Sequence, residues 1–435
     1  MHRVVILGGG FGGLYAAQAM KKTAVGITLL DRRNFHLFQP LLYQVATGSL
    51  SPGEIAAPLR SVLRKQRNTS VMLGEAIDLD AAARRVILHD GALEYDTLIV
   101  ATGARNFYFG HDEWRRIAPG LKSIEDATAI RHKILFAFEA AERETDFQKR
   151  REWLTFVVVG AGATGVELAG ALGEIAHDTL RNDFRSIDPR EARILLLDGQ
   201  RVLPPYPLDL SAAAERSLIG LGVRSRTGVR VTNVDEGGVI ISTGGGNERI
   251  QARTVLWAAG VTASEFGQVL ARRAGAPLDR EGHVLVEPDL TVPGHPEIIV
   301  IGDLANCSHQ EGKPLPGVAP VAMQQGRYAA RLIEARLAGR TLPPFHYHNK
   351  GSLAVIGRAA AVADFGRLRF HGLVAWLMWL FIHLMYIVEF ESRLIVFIRW
   401  GIQYFTFNRG ARLITGPADL PLGRQLKETE TFTKV

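Results

Sequence analysis

Apolar and polar positions follow a recurring order along this chain: a short run of branched aliphatic residues, a glycine-rich break, then small and apolar residues at helical spacing. The run 4–7 leads into Gly8-Gly9-Gly10-Phe11-Gly12-Gly13, and the run 156–159 into Gly160-Ala161-Gly162-Ala163-Thr164-Gly165. Unbroken aliphatic runs of this length predict strands buried on both faces, as in parallel sheets covered by helices. Two further runs end in an acid, 27–30 before Asp31 and 194–197 before Asp198. Three more end in glycine: Leu98-Ile99-Val100-Ala101-Thr102-Gly103, Val255-Leu256-Trp257-Ala258-Ala259-Gly260 and Glu297-Ile298-Ile299-Val300-Ile301-Gly302-Asp303. The pattern predicts an α/β chain in which one strand–loop–helix unit occurs twice.

A strand that turns into a helix over glycines brings backbone N–H groups against a pyrophosphate at the helix N-terminus, where a side chain would block the approach. Asp31 lies 18 residues past Gly13, the spacing of an acid that accepts a ribose hydroxyl. Asp198 lies 33 residues past Gly165, and the excess is expected to loop out around residues 178–191. An acid there repels a 2′-phosphate and favours NADH over NADPH, although Arg201 stands close in sequence. Two loops predict two bound dinucleotides. The Ala-Thr-Gly and Gly-Asp strands resemble those of flavoproteins with two nucleotide domains, whose Gly-Asp carboxylate holds the ribityl chain of FAD. The expected order is an FAD-binding part at 1–115, an NAD(H)-binding domain at 116–275 and a second FAD-binding part at 276–345. Residues 346–435 form a C-terminal membrane-association region. The fold class is thus α/β, with two Rossmann-like dinucleotide-binding domains (FAD and NAD) and a C-terminal amphipathic helical membrane anchor.

Past Pro343-Pro344 the composition turns aromatic and apolar. Residues 372–388 carry one potentially charged side chain, His383, but 17 residues of helix reach only about 25 Å, short of a hydrocarbon core near 30 Å. A span is not expected. On the next helix Ser392, Arg399, Gln403 and Thr406 fall within about 60° of one another, leaving a wide apolar face. That face is expected at a lipid bilayer surface, with Arg393, Arg399, Arg409 and Arg412 meeting anionic lipid.

Composition narrows the rest. The 435 residues suit two or three domains, and one cysteine, Cys307, excludes a disulfide framework or a Cys-x-x-Cys redox pair. Cys307 reads as a packed residue. The net charge of +7 comes from scattered basic residues without interleaved aromatics, so nucleic acid is not an expected partner. The histidines at 36, 346, 348, 371 and 383 lack metal-ligand spacing, so no metal is assigned. Three residues before the first apolar run are too few for a signal peptide, so the chain is expected on the cytoplasmic side, peripheral to the cell membrane.

Several segments together resemble the type II NADH dehydrogenases, single-subunit NADH:quinone oxidoreductases that pump no protons. They are Asn34-Phe35-His36-Leu37-Phe38-Gln39-Pro40-Leu41-Leu42-Tyr43-Gln44, residues 160–167, residues 319–326, Lys350-Gly351-Ser352-Leu353-Ala354 and the tail through Phe405-Thr406-Phe407-Asn408-Arg409-Gly410. The resemblance implies non-covalent FAD held by Gly8, Gly10, Gly12, Gly13, Asp31, Arg32, Pro40, Ala101, Thr102, Gly103, Gly302, Asp303 and Ala322. It implies NAD(H) along Gly160, Gly162, Gly165, Asp198 and Gly260, with Glu167 facing the nicotinamide or relaying protons. The family's Ala-Gln-x-Ala-x-Gln motif reads here Ala319-Pro320-Val321-Ala322-Met323-Gln324, so proline replaces one amide, and the membrane quinone falls to Gln324, Gln44 or Lys350. A homodimer is compatible with the pattern. The alternatives are a soluble NADH-dependent reductase of rubredoxin or ferredoxin, and a non-catalytic redox-sensing flavoprotein.

Overall fold

The computed structural model describes residues 1–415. Five helices position the site: α1 (Phe11–Ala19), α2 (Ala163–Glu174), α3 (Ala319–Leu337), α4 (Leu373–Tyr386) and α5 (Phe390–Thr406). The first sheet runs, edge to edge, Thr291–Val292, His295–Val300, Thr97–Val100, His2–Leu7, Val25–Asp31 and Thr69–Leu73. All neighbours are parallel except the first pair. Val4 pairs with Ile27 on one side and Thr97 on the other, so the strand carrying the first glycine loop is central and its aliphatic residues are fully buried. The second sheet is Val223–Arg226, Arg193–Leu197, Thr155–Val159 and Thr254–Trp257, all parallel. Its loop-bearing strand is again flanked on both sides. The unbroken aliphatic runs follow from that two-sided burial.

The stretch between α2 and Asp198 differs from the expected excursion. α2 runs on into one π-helical turn, Ile175–Thr179, and Glu142 then accepts the N–H groups of Arg185, Ser186 and Ile187. The added residues are therefore braced against a neighbouring helix.

The C-terminal part begins with a three-stranded antiparallel sheet, Ser352–Gly357, Ala360–Asp364 and Arg369–His371. Its first strand lies directly on α2: a Cβ added at Gly170 would stand 1.7 Å from the Ile356 carbonyl oxygen. α4 and α5 follow, joined by Trp379 against Trp400 at 5.2 Å. Ala375, Trp379, Val396 and Trp400 are buried, while Leu373, Leu377, Phe381 and Met385 recur every fourth residue along α4 and are each at least 50% exposed. Among the described residues no helix is long and apolar enough to cross a membrane.

The polar stripe of α5 is present, and two of its residues bond the preceding part of the chain. Gln403 donates to Ser49 Oγ at 3.2 Å, and Arg399 Nε lies 3.2 Å from Glu54. The expectation that four arginines meet lipid is corrected here. Arg393 donates to the Ile387 carbonyl, Arg412 pairs with Asp183, and Arg409, 3% exposed, pairs with Glu174. Arg409 is thereby withdrawn from any lipid, and Arg393, Arg399 and Arg412 each spend at least one donor on the chain.

Replacing Gly170 by alanine tests the contact between α2 and the C-terminal sheet. Alanine favours a helix by about 1 kcal/mol over glycine, yet the collision with a main-chain carbonyl forces the strand away at a cost of roughly 1–3 kcal/mol. The Gly170→Ala protein should unfold at a lower temperature in thermal scans. A raised midpoint would show that the strand can retreat freely.

Candidate active site

The two glycine loops repeat one geometry. Gly8 has φ +101°, and its Cβ would lie 2.3 Å from the Ala101 carbonyl; Gly160 has φ +102°, and its Cβ would lie 2.6 Å from Ala258. Only glycine suits both the positive φ and the contact. Gly13 and Gly165 then close the turns, where a Cβ would fall 1.9 Å from the Gly8 oxygen and 1.7 Å from the Gly160 oxygen. Gly10 and Gly162, the N-caps of α1 and α2, differ: a Cβ there meets nothing within 4 Å. Each loop thus opens on one side only, ahead of a helix N-terminus with no acid in its first turn. That is the cradle a pyrophosphate requires, so the residues fit both dinucleotides.

The two acids also correspond. Asp31 accepts the Gly9 N–H at 2.6 Å and the Arg33 N–H at 2.7 Å; Asp198 accepts the Ala161 N–H at 2.6 Å and the Gln200 N–H at 2.7 Å. Each carboxylate braces its loop from the end of the neighbouring strand. Arg201 turns away, donating to the Pro204 and Tyr206 carbonyls.

Around the first loop, Thr102 Oγ1 lies 2.6 Å from Ser264 Oγ, and Gly302, φ +73°, packs against Ala322. Asp303 Oδ2 lies 3.8 Å from Lys122 Nζ. Pro40 sits in the short turn Gln39–Leu41, Arg32 reaches Glu75 at 3.9 Å, and Gly103 and Gly260 both have positive φ. His36 Nδ1 donates to the Gly9 carbonyl at 2.9 Å, leaving Nε2 buried with no partner among the described residues.

On α3, Pro320 occupies the first turn, where a missing N–H is tolerated. Gln324 is spent on the chain: its amide donates to the His348 carbonyl and accepts the His348 N–H, both at 3.0 Å. Gln325, 1% exposed, accepts the Gly302 N–H at 2.7 Å, and its Nε2 is buried without a partner among the described residues. Sequence reasoning passed over Gln325. The signal was its spacing from Val321, Ala322 and Ala329, which places it on the buried face of α3.

Gln44 and Glu167 meet at one cavity of about 80 Å³, room for a few waters, between α2 and the C-terminal helices. Neither Gln324 nor Lys350 lines it; Lys350 Nζ lies 3.4 Å from the Tyr386 hydroxyl. Gln44 donates to the Tyr43 hydroxyl at 2.8 Å and accepts the Trp400 indole N–H at 2.7 Å. Burial pushes the Glu167 carboxyl up to about 8, against the opposing pull of the Val355 N–H. Burial raises the Tyr43 phenol too, with the nearby Glu167 adding to the shift. At the far wall, Arg409 Nη2 holds Glu174 at 2.6 Å and Nη1 donates to Thr47 Oγ1 and Ser49 Oγ at 2.9 and 2.7 Å. His383, stacked on Trp379 at 4.3 Å, is pushed by burial down to about 4. Cys307 is buried, its thiol pushed up to about 11 by that burial.

Two dinucleotide cradles on separate parallel sheets define an oxidoreductase with an FAD and an NAD(H) domain. In agreement, a family model described as pyridine nucleotide-disulphide oxidoreductase matches residues 2–326, and one described as NDH2 C-terminal domain matches residues 349–409. The Type II NADH:quinone oxidoreductase Ndh of Mycobacterium tuberculosis is 47% identical over 423 residues, covering 95% of this chain and 90% of its own length. The same organism's Type II NADH:quinone oxidoreductase NdhA is 49% identical over 425 residues, covering 95% and 89%. The chain belongs to the type II NADH:quinone oxidoreductase family. The structure of NDH2 from Plasmodium falciparum in complex with NADH shares the fold, with a TM-score of 0.85 at 20% identity over 95% of this chain and 100% of that one.

The raised Glu167 carboxyl makes stability depend on pH. Between about 4.5 and about 8 the folded carboxyl keeps a proton that the unfolded chain releases, so folding loses stability as pH rises through this window. The thermal midpoint of the parent, relative to Glu167→Gln, should fall from about pH 5 to about pH 9. A constant difference would mean that Glu167 is ionised throughout.

Proposed function

We propose that the protein oxidises NADH and reduces a membrane quinone through FAD, from the cytoplasmic face of a bilayer and without moving protons across it. Bound FAD supplies the two-electron redox chemistry. Along the first loop Asp31, with Arg32, Pro40, Thr102 and Asp303, holds that cofactor; along the second, Asp198 takes a ribose hydroxyl of NADH and disfavours a 2′-phosphate. The commitment of Arg201 to backbone carbonyls removes the one cation that weakened this preference. Glu167, neutral up to about pH 8, holds a proton at a wall of the water-sized cavity, where it can be passed toward a reduced quinone. Quinone placement rests on Gln44, which lines that cavity, and on Lys350 beside Tyr386; Gln324 serves only if its bonds to His348 open.

The observation that carries the reading is the outward apolar surface of α4 and α5. Leu377, Phe381, Phe397, Ile398, Ile402 and Phe405 stand exposed on one appendage of a chain with two dinucleotide cradles. A small soluble electron carrier as acceptor needs no such surface. Lipid covers it, the apolar faces entering the acyl boundary and drawing quinone from the bilayer.

The circuit is tested anaerobically on the detergent-purified holoprotein: NADH should bleach the flavin, and a short-chain quinone should restore it within the turnover time. Bleaching without recovery would move the acceptor to another molecule. The surface is tested with Phe381→Glu combined with Phe397→Glu, which should reduce sedimentation with liposomes by at least about tenfold while NADH still bleaches the flavin. Unchanged sedimentation would remove α4 and α5 as the anchor.

A further inference from the structure

On the outer side of α3, away from the Glu167 cavity, an open groove of about 480 Å³ is lined by Arg327, Arg331, His346 and His348, with Phe345 among its walls. Arg327 and Arg331 stand one helical turn apart, and both are exposed. Neither guanidinium meets a carboxylate among the described residues. This sets them apart from Arg336 on the same helix, bound to Asp289, and from Arg399, Arg409 and Arg412, each paired with an acid. Glu334, the next acid on this helix, is engaged by the Thr23 hydroxyl.

The groove is built rather than incidental. The Arg327 guanidinium lies 4.8 Å over the Tyr15 ring and Arg331 lies 5.9 Å over Tyr328. Tyr328 is itself fixed by its bond to the Pro343 carbonyl and by Phe345 at 5.4 Å. The Gln324 side chain bonds both the carbonyl and the N–H of His348, whose ring lies 4.9 Å from that of His346. Two planar donor forks, each set over a tyrosine ring, and two imidazoles therefore line one open space. Guanidinium forks match the oxygen geometry of phosphate, and restrained forks lose less freedom on binding.

We propose that Arg327, Arg331, His346 and His348 form a binding site for a phosphate group, distinct from the two dinucleotide cradles. Its place in the fold favours the headgroup of an anionic glycerophospholipid over a free phosphate. His348, in the groove wall, stands two residues before Lys350, whose Nζ lies 3.4 Å from the hydroxyl of Tyr386, the last residue of α4, so the segment that forms this wall runs on to the end of α4.

The test uses the full-length, flavin-loaded protein in a non-ionic detergent, titrated calorimetrically with inorganic phosphate, dihexanoyl phosphatidylglycerol and dihexanoyl phosphatidylcholine. Binding of phosphatidylglycerol well ahead of the other two assigns the site to an anionic lipid headgroup. Phosphate binding as tightly as phosphatidylglycerol assigns it to a free phosphate. In either case Arg327→Gln with Arg331→Gln should weaken binding at least about tenfold, and the double lysine variant should recover only part of it. The flavin spectrum and NADH bleaching report that the variants are folded. Absence of binding by all three probes, or binding unaltered in the double glutamine variant, overturns the site.

Discussion

A guanidinium withdrawn from water costs several kcal/mol unless its donors are all met, and Arg409 is the place where this chain accepts that constraint. Its partners come from separate parts of the chain: Glu174 at the end of α2, and Thr47 and Ser49 after the segment that follows Pro40. One side chain therefore ties the C-terminal region to both dinucleotide units. Lesser contacts follow the same direction, with Trp400 on Gln44, Gln403 on Ser49 and Thr179 on the Phe407 carbonyl. With Gln403 and Arg399 bonded to the chain and Val396 and Trp400 packed beneath the helix, the remaining apolar side chains of α5 face out. The exposed face is a consequence of the inward docking.

The dinucleotide units rest on a second constraint, the contact of backbone with backbone. In both, the glycine loop is pinned between the carbonyl of a neighbouring strand and its own helix, and an aspartate on the next strand holds a loop N–H. With no acid in the first turn of α1 or α2, the partial positive charge at each helix N-terminus is left available to an anion. Glu167 is the fifth residue of α2, past the turn where the helix dipole favours an acid. Its neutral form is instead set by burial, which is the condition for a proton-holding group near neutral pH.

What the residues alone conveyed follows from how local each rule is. Glycine fingerprints, strand ends and the amphipathic spacing of α5 depend on neighbours a few positions away, and all were legible. The type of oxidoreductase was legible too, through the segment around Pro40 and the aromatic tail. The direction in which the α5 stripe faces was not, because an arginine suits lipid phosphate and a buried carboxylate equally well until Glu54, Asp183 and Glu174 are placed beside it. The same limit applied on α3. Gln324 and Gln325 are adjacent in sequence but about 100° apart on the helix, one bound to the His348 backbone and the other to Gly302. The π-helical turn after α2 carried no local signal: Thr179 in it bonds the distant Phe407, and the loop beyond it is held by Glu142.

Glu167 gains its character from the docked C-terminal region. The Val355 N–H that bonds it belongs to the C-terminal sheet, and Trp376, Trp379 and Trp400 help close the cavity on which it borders. Were α4 and α5 to lift away, water would reach the carboxyl, the desolvation that keeps it protonated would relax, and its pKa would return toward the ordinary carboxylate range. The exposed apolar face and the buried acid are therefore two sides of one packed layer.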